Sequence, residues 1–170
     1  MERIPIYIVR FILLIFIQVF LLKNIGFYNL ATPFVYLLFI LILPFKTPNW
    51  LLFTLSFLLG LSVDVFYDTL GLHALASTVL ALGRISLIRI TVSAEDQDNE
   101  PEPSMNHMGL RWFLIYAFIL ILCHHLVLFT FETFRLSDFG ITLLRTILSS
   151  FFTLFLILLS ELLFYRNKKR

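Results

Sequence analysis

Long apolar runs dominate this chain and leave it few ways to fold. The first, Ile4–Leu22, ends at Lys23, Asn24 and Gly26. As a helix it spans ~28 Å at 1.5 Å per residue, close to the hydrocarbon thickness of a bilayer. The other runs predict a second helix between Pro33 and Pro44, a third from Asn49 to Tyr67, and a fourth from Gly71 to Ile90. A fifth runs from Leu110 to Phe134 and a sixth from Phe139 to Tyr165. Trp50 and Tyr67 suit the two interfaces of the third. The second is short for a span, so it is either stretched, broken or re-entrant.

Composition agrees. Of 170 residues, 59% are hydrophobic and 14% charged, with a mean hydropathy of +0.93. A water-soluble domain of this size has too little interior for so much apolar side chain. Basic residues precede the first run, but Lys23-Asn24-Ile25 offers no small-x-small cleavage site, so a retained helix is expected rather than a signal peptide. One cysteine, Cys123, excludes an internal disulfide. Residues 93–107, SAEDQDNEPEPSMNH, are acidic and lack apolar periodicity, and predict a flexible solvated loop.

Basic residues set the orientation. With the N-terminus inside, Arg3, Arg10, Lys46, Arg84, Arg89, Arg111 and the tail Arg166, Lys168, Lys169 and Arg170 are cytoplasmic, against Lys23 and Arg135 outside. The expected fold is an all-α integral membrane protein. It is one polytopic domain over residues 1–170, a bundle of about six transmembrane helices with both termini cytoplasmic.

A carboxylate at mid-bilayer costs roughly 2.5–3.5 kcal/mol on insertion scales, so each needs a reason. Gly60, Asp64 and Asp68 are spaced by four and share one face of the third helix. Gly60 permits close approach of a neighbouring helix, so the stripe is expected to face inward. Arg145 lies about 9 Å below the outer end of the sixth helix, a depth comparable to Asp64, and Gln18 is also in the outer half. The reading is a polar cluster of Asp64, Arg145 and Gln18, in which losing Asp64 or Arg145 alone destabilises more than losing both. Its plain alternative is an Asp64 that is protonated or backbone-bonded and merely holds helices together. Near the inner side, Arg84 either pairs with Glu161 or snorkels to headgroups.

His124 and His125 are adjacent and point about 100° apart, which rules out shared ligation on a regular helix. Interhelical hydrogen bonding is their plainer role, and neither a metal nor a cofactor is implied. There is no G-x-S-x-G, H-E-x-x-H or phosphate-binding loop. Asp64 and Asp68 lie one turn apart on one helix, a poor arrangement for a proton-sharing dyad. The basic tail suits anionic headgroups rather than nucleic acid.

From Gly60 to Ala76 the sequence reads GLSVDVFYDTLGLHALA. This resembles the signature stretch of the rod shape-determining protein MreD family, matched at Gly60, Asp64, Gly71, Leu72 and Ala74. Gln18 in the first span and Pro33 opening the second are similar to that family too, as are length and hydropathy over essentially the whole chain. The family usually carries an acidic residue after this proline. Here it is Phe34, so no role of that acid transfers.

The resemblance implies a non-enzymatic component of the cell-elongation machinery in the bacterial inner membrane, which directs peptidoglycan synthesis. The implied partner is an MreC-like single-span protein, alongside an MreB-like filament, a RodA-type polymerase and its transpeptidase. The family is also distantly similar in fold to the substrate-binding subunits of energy-coupling-factor transporters. Gly60, Gly71 and Ala74 would serve close helix packing. Partner contacts at the outer face would involve Asp68, His73 and the Glu132–Asp138 loop.

Three functions compete. A scaffold predicts co-purification with a bitopic partner. A small-solute-binding subunit of a transporter predicts a cavity near the outer leaflet lined by Asp64, Arg145 and aromatic residues. An intramembrane hydrolase predicts that Asp64→Asn abolishes turnover while folding survives.

Overall fold

A computed structural model describes residues 4–26, 30–99, 102–133 and 139–163, and all regular structure among them is helical. In chain order the elements are α1 (Ile4–Phe16), which continues as a π-helical turn (Ile17–Leu22), then α2 (Leu37–Leu41), α3 (Asn49–Tyr67) and α4 (Leu72–Thr91). Two short helices follow, α5 (Ala94–Asn99) and α6 (Met105–Met108), and then α7 (Leu110–Thr133) and α8 (Phe139–Leu163). Among the described residues five helices are long and apolar enough to cross a membrane: Pro5–Leu22, α3, α4, α7 and α8.

Polarity is inverted relative to a protein that folds in water. Val9, Ile12, Phe20, Val65, Ile90, Phe151 and Phe155 are exposed, while Gln18, Asp64, His73, His124, His125 and the α8 series Thr142, Thr146, Ser149, Ser150 and Thr153 are buried. An apolar solvent favours that arrangement, since lipid accepts the outer face and interior groups such as Gln18, Asp64 and Thr153 find protein partners.

The second predicted helix is corrected by the structure. Only Leu37–Leu41 is helical there, yet Phe34 to Leu43 is buried throughout. Lys23 Nζ donates to the Phe66 carbonyl, which joins the ends of α1 and α3. Their starts also meet, because Tyr7, Ile8 and Phe11 share an apolar pocket with Thr47, Pro48 and Leu51. The two helices are therefore parallel, and the chain between them returns through the bundle. Leu30 lies beside Ile141 and Arg145 at the end of α3, called the outer end here. Leu43 lies at the opposite end, where its carbonyl accepts from Arg84.

A crossing that is mostly non-helical leaves amides and carbonyls without internal partners, and a low-dielectric interior makes each one costly. Interior side chains satisfy them. Thr32 N–H donates to Ser149 Oγ at 3.0 Å and Phe34 N–H to Thr153 Oγ1 at 3.0 Å. Gln18 accepts from Val35 N–H at 2.9 Å and donates to the Pro33 carbonyl at 3.1 Å. Pro33 itself has no N–H to satisfy. Tyr116 donates to the Leu41 carbonyl at 2.9 Å. Gln18 reaches this segment because the widened π turn buries both Gln18 and its neighbour Val19. Gln18→Leu is expected to lower stability by about 2 to 3 kcal/mol, since it strands two buried backbone groups. Thermal unfolding in a mild detergent checks this, and a melting point equal to the parent's refutes it.

The inner end departs from expectation in two ways. Part of the acidic stretch is ordered rather than a free loop: Ser93 Oγ accepts the Asp96 amide at 3.1 Å, and Met105 is buried with its amide donating to Glu161 Oε2 at 3.2 Å. Ion pairs Arg10–Glu102 at 3.4 Å and Lys46–Asp98 at 3.1 Å tie the stretch to the bundle. Glu161 therefore serves α6 rather than Arg84, and Arg84 is buried against the Leu43 carbonyl rather than snorkelling. Arg3, Arg135, Asp138 and the basic tail from Arg166 lie outside the described residues.

Candidate functional site

Asp64, on the last turn of α3, does not meet Arg145. Its Oδ1 accepts the His73 amide at 3.0 Å and its Oδ2 the Ala74 amide at 2.9 Å. Thr69 Oγ1 donates to the same carboxylate, and His73 Nδ1 lies 3.0 Å from Oδ1. These amides belong to the first turn of α4, whose N-cap is Gly71 at φ +85°. Asp64 thus caps α4 from the preceding helix, where a negative charge complements the unsatisfied N–H groups and the helix dipole.

Gly60 lies one turn earlier on the same face, packed directly beneath that cap. A Cβ built on it falls 2.5 Å from Ala74 Cα and 2.6 Å from Ala74 N, with the His73 carbonyl as close. Between the helices, Asp68 ends α3 in the left-handed region at φ +55° and is exposed. The stretch from Gly60 to Ala74 is one latch. Gly60 lets the backbones touch, Asp64 ties them, Asp68 and Gly71 make the reversal, and Ala74 lies at the contact. The two aspartates do not converge.

Arg145 pairs with Glu132 at 3.3 Å and lies 4.4 Å over the Phe129 ring. Gln18 belongs to the returning segment and to Tyr67, whose hydroxyl it meets at 2.8 Å. The cluster of Asp64, Arg145 and Gln18 is therefore corrected into three separate assemblies. Depth along the bundle placed them at one level, but position around the bundle separates them. His73, expected as an outer-face contact, is buried instead.

Between these assemblies, at the outer end, lies a cavity of about 580 Å³. Its lining includes Phe34, Tyr67, Thr69, His73, Glu132 and Arg145. Phe34 packs edge-on to His73, with ring centres 5.2 Å apart, and lies 5.4 Å from the His125 ring. Deeper in the bundle, His124 Nε2 meets Tyr36 Oη at 2.9 Å, and His125 bridges the Ile121 carbonyl at 2.8 Å and Thr153 Oγ1 at 3.2 Å. The three imidazoles surround the Phe34 ring rather than a common point. Among the described residues, no three His, Cys, Asp or Glu side chains gather to hold a metal ion.

Sequence reasoning missed Thr69, Tyr36, Phe34 and the hydroxyl face of α8. The signal for the last was present: Thr142, Thr146, Ser149 or Ser150, and Thr153 recur at helical spacing. No protein-family model matches the chain, and no curated protein or solved structure matches it significantly.

Proposed function

We propose that this chain is a non-enzymatic membrane scaffold of the bacterial cell-elongation machinery, residing in the inner membrane and binding an MreC-like bitopic protein. Its proposed topology is six crossings with both termini cytoplasmic, five as helices and one as the returning segment. The observation that supports this reading most is the Gly60–Ala74 latch. The resembling residues from Gly60 to Ala74 fall in one structural unit, which supports reading that stretch as a signature, while Gln18 and Pro33 meet separately in the returning segment. Broad exposed apolar faces on α1 and α8 suit a neighbouring span.

The test is co-expression with a tagged MreC-like protein and purification in mild detergent. Stable co-elution at a fixed ratio is expected, as is rounding of rod-shaped cells when the gene is removed. Separation of the two proteins together with unaltered cell shape refutes the proposal. The outer cavity favours a second reading, a small-solute-binding subunit of a transporter. Its volume falls within the range of ligand pockets, about 300–1,000 Å³.

A further inference from the structure

At the inner end lies another cavity, of about 390 Å³, whose lining carries positive charge and no negative charge. Arg84 and Arg89 of α4 line it, with Thr47, Asn49 and Gln97 as its other polar residues and no Asp or Glu. The acids of α5 nearby are engaged or face solvent. Asp98 pairs with Lys46, Asp96 accepts from Ser93 Oγ, and Glu95 is exposed.

Arg84 is only 3% exposed, and a guanidinium stays charged even when buried. Its Nη2 donates to the Leu43 and Pro44 carbonyls, Nε is enclosed without a partner, and Tyr116 is its other polar neighbour. All of these are neutral groups, so the charge has no counter-anion among the described residues. A buried cation left so is strongly unfavourable. Nη1 also makes no hydrogen bond among the described residues, yet it is not enclosed, so it is the corner of the fork that meets the cavity. Arg89, five residues on, is exposed and likewise lacks an ion pair among the described residues.

An independent element opens on the same space. α3 begins there at Asn49, its N-cap is Pro48, no side chain caps it, and no acid stands in its first turn. Free N–H groups and the positive end of the helix dipole favour an anion at such a start.

We propose that this cavity binds a phosphate group, carried by an inner-leaflet phospholipid or by a soluble phosphate ester. Its oxygens pair with Arg84 Nη1 and the Arg89 fork and accept from the amides that open α3. Several acceptor oxygens on one centre match donors that converge from two helices, and basic pockets between spans on the cytoplasmic side suit lipid headgroups. The site lies at the opposite end from the outer cavity and depends on neither function proposed above.

The full-length protein in a non-ionic detergent is titrated with dioleoyl phosphatidic acid, sn-glycerol 3-phosphate and dioleoylglycerol at constant ionic strength, with melting temperature as the readout. The first probe carries phosphate and acyl chains, the second phosphate alone, the third acyl chains alone. Phosphatidic acid is expected to raise the melting temperature well beyond dioleoylglycerol. A comparable rise with sn-glycerol 3-phosphate assigns the site to soluble esters, and a rise with phosphatidic acid alone assigns it to lipid. If neither phosphate-bearing probe outdoes dioleoylglycerol, the proposal is overturned.

Arg89→Gln should weaken the binding of the phosphate probe at least about tenfold. Arg111→Gln is the control, because it removes an exposed charge from the start of α7, outside this lining. It should weaken binding less than about twofold. Equal losses in the two would mean that general attraction, not this site, holds the phosphate. Asn49→Asp places a carboxylate in the first turn of α3. It should raise the unliganded melting temperature yet weaken phosphate binding, a combination that misfolding does not produce. Parent-like binding by both Arg89→Gln and Asn49→Asp also overturns the site.

Discussion

Gly60→Ala should be among the most damaging single substitutions available in this protein. The added methyl meets backbone, not a flexible side-chain end: Ala74 Cα at 2.5 Å, Ala74 N at 2.6 Å and the His73 carbonyl. These separations are well inside van der Waals contact, and a helix backbone does not yield by an ångström locally. α3 and α4 must separate, and the separation pulls Asp64 away from the amides it caps. Overpacking costs about 1 to 3 kcal/mol and loss of a cap about 1 kcal/mol more. A loss of about 3 kcal/mol is therefore expected, seen as a much lower melting temperature and a low yield of folded protein. Gly140 is the control, since a Cβ there meets nothing within 4 Å. A Gly60→Ala protein as stable as Gly140→Ala would mean that α3 and α4 do not pack as described.

The contrast between these glycines marks what the sequence could and could not reveal. Five helices were legible because a bilayer-spanning run needs only length and apolarity, both read locally. The inward direction of Gly60 and Asp64 was legible from their spacing and the cost of a carboxylate in lipid. The partner of Asp64 was not. Matching depths supplies one coordinate of three, and it selected Arg145, whereas the actual donors lie nine and ten residues along the chain in α4. The prolines flagged 33–44 as abnormal, but its support comes from Gln18, Arg84, Tyr116, Ser149 and Thr153. Those side chains lie up to 119 residues away in sequence, a pairing no local pattern encodes. The acidic stretch misled in the other direction. Its composition suggests disorder, yet one buried methionine and the Glu161 carboxylate fasten it.

Asp64→Ala is the second large effect, and it separates the latch from the ion pair expected of it. The substitution removes the acceptor of two buried amides, a threonine hydroxyl and an imidazole N–H. Water can replace such a partner in a soluble protein, but not in the interior of a membrane bundle. Breaking a buried charged contact from one side costs about 3–5 kcal/mol, and a loss of that size is expected in thermal or denaturant unfolding in detergent. Asp64→Asn keeps one acceptor oxygen but turns an NH₂ group toward the remaining amide, so it should fall between Ala and the parent. Combining Asp64→Ala with Gly60→Ala should cost clearly less than the sum, because both break the same contact between α3 and α4. Combining it with Arg145→Ala should cost the sum within about 0.5 kcal/mol, since Arg145 answers to Glu132 and Phe129 and shares no partner with Asp64. Strong coupling between Asp64 and Arg145, with additivity between Asp64 and Gly60, would reverse the assignment. The carboxylate would then belong to an intramembrane ion pair, and the cap on α4 would be incidental.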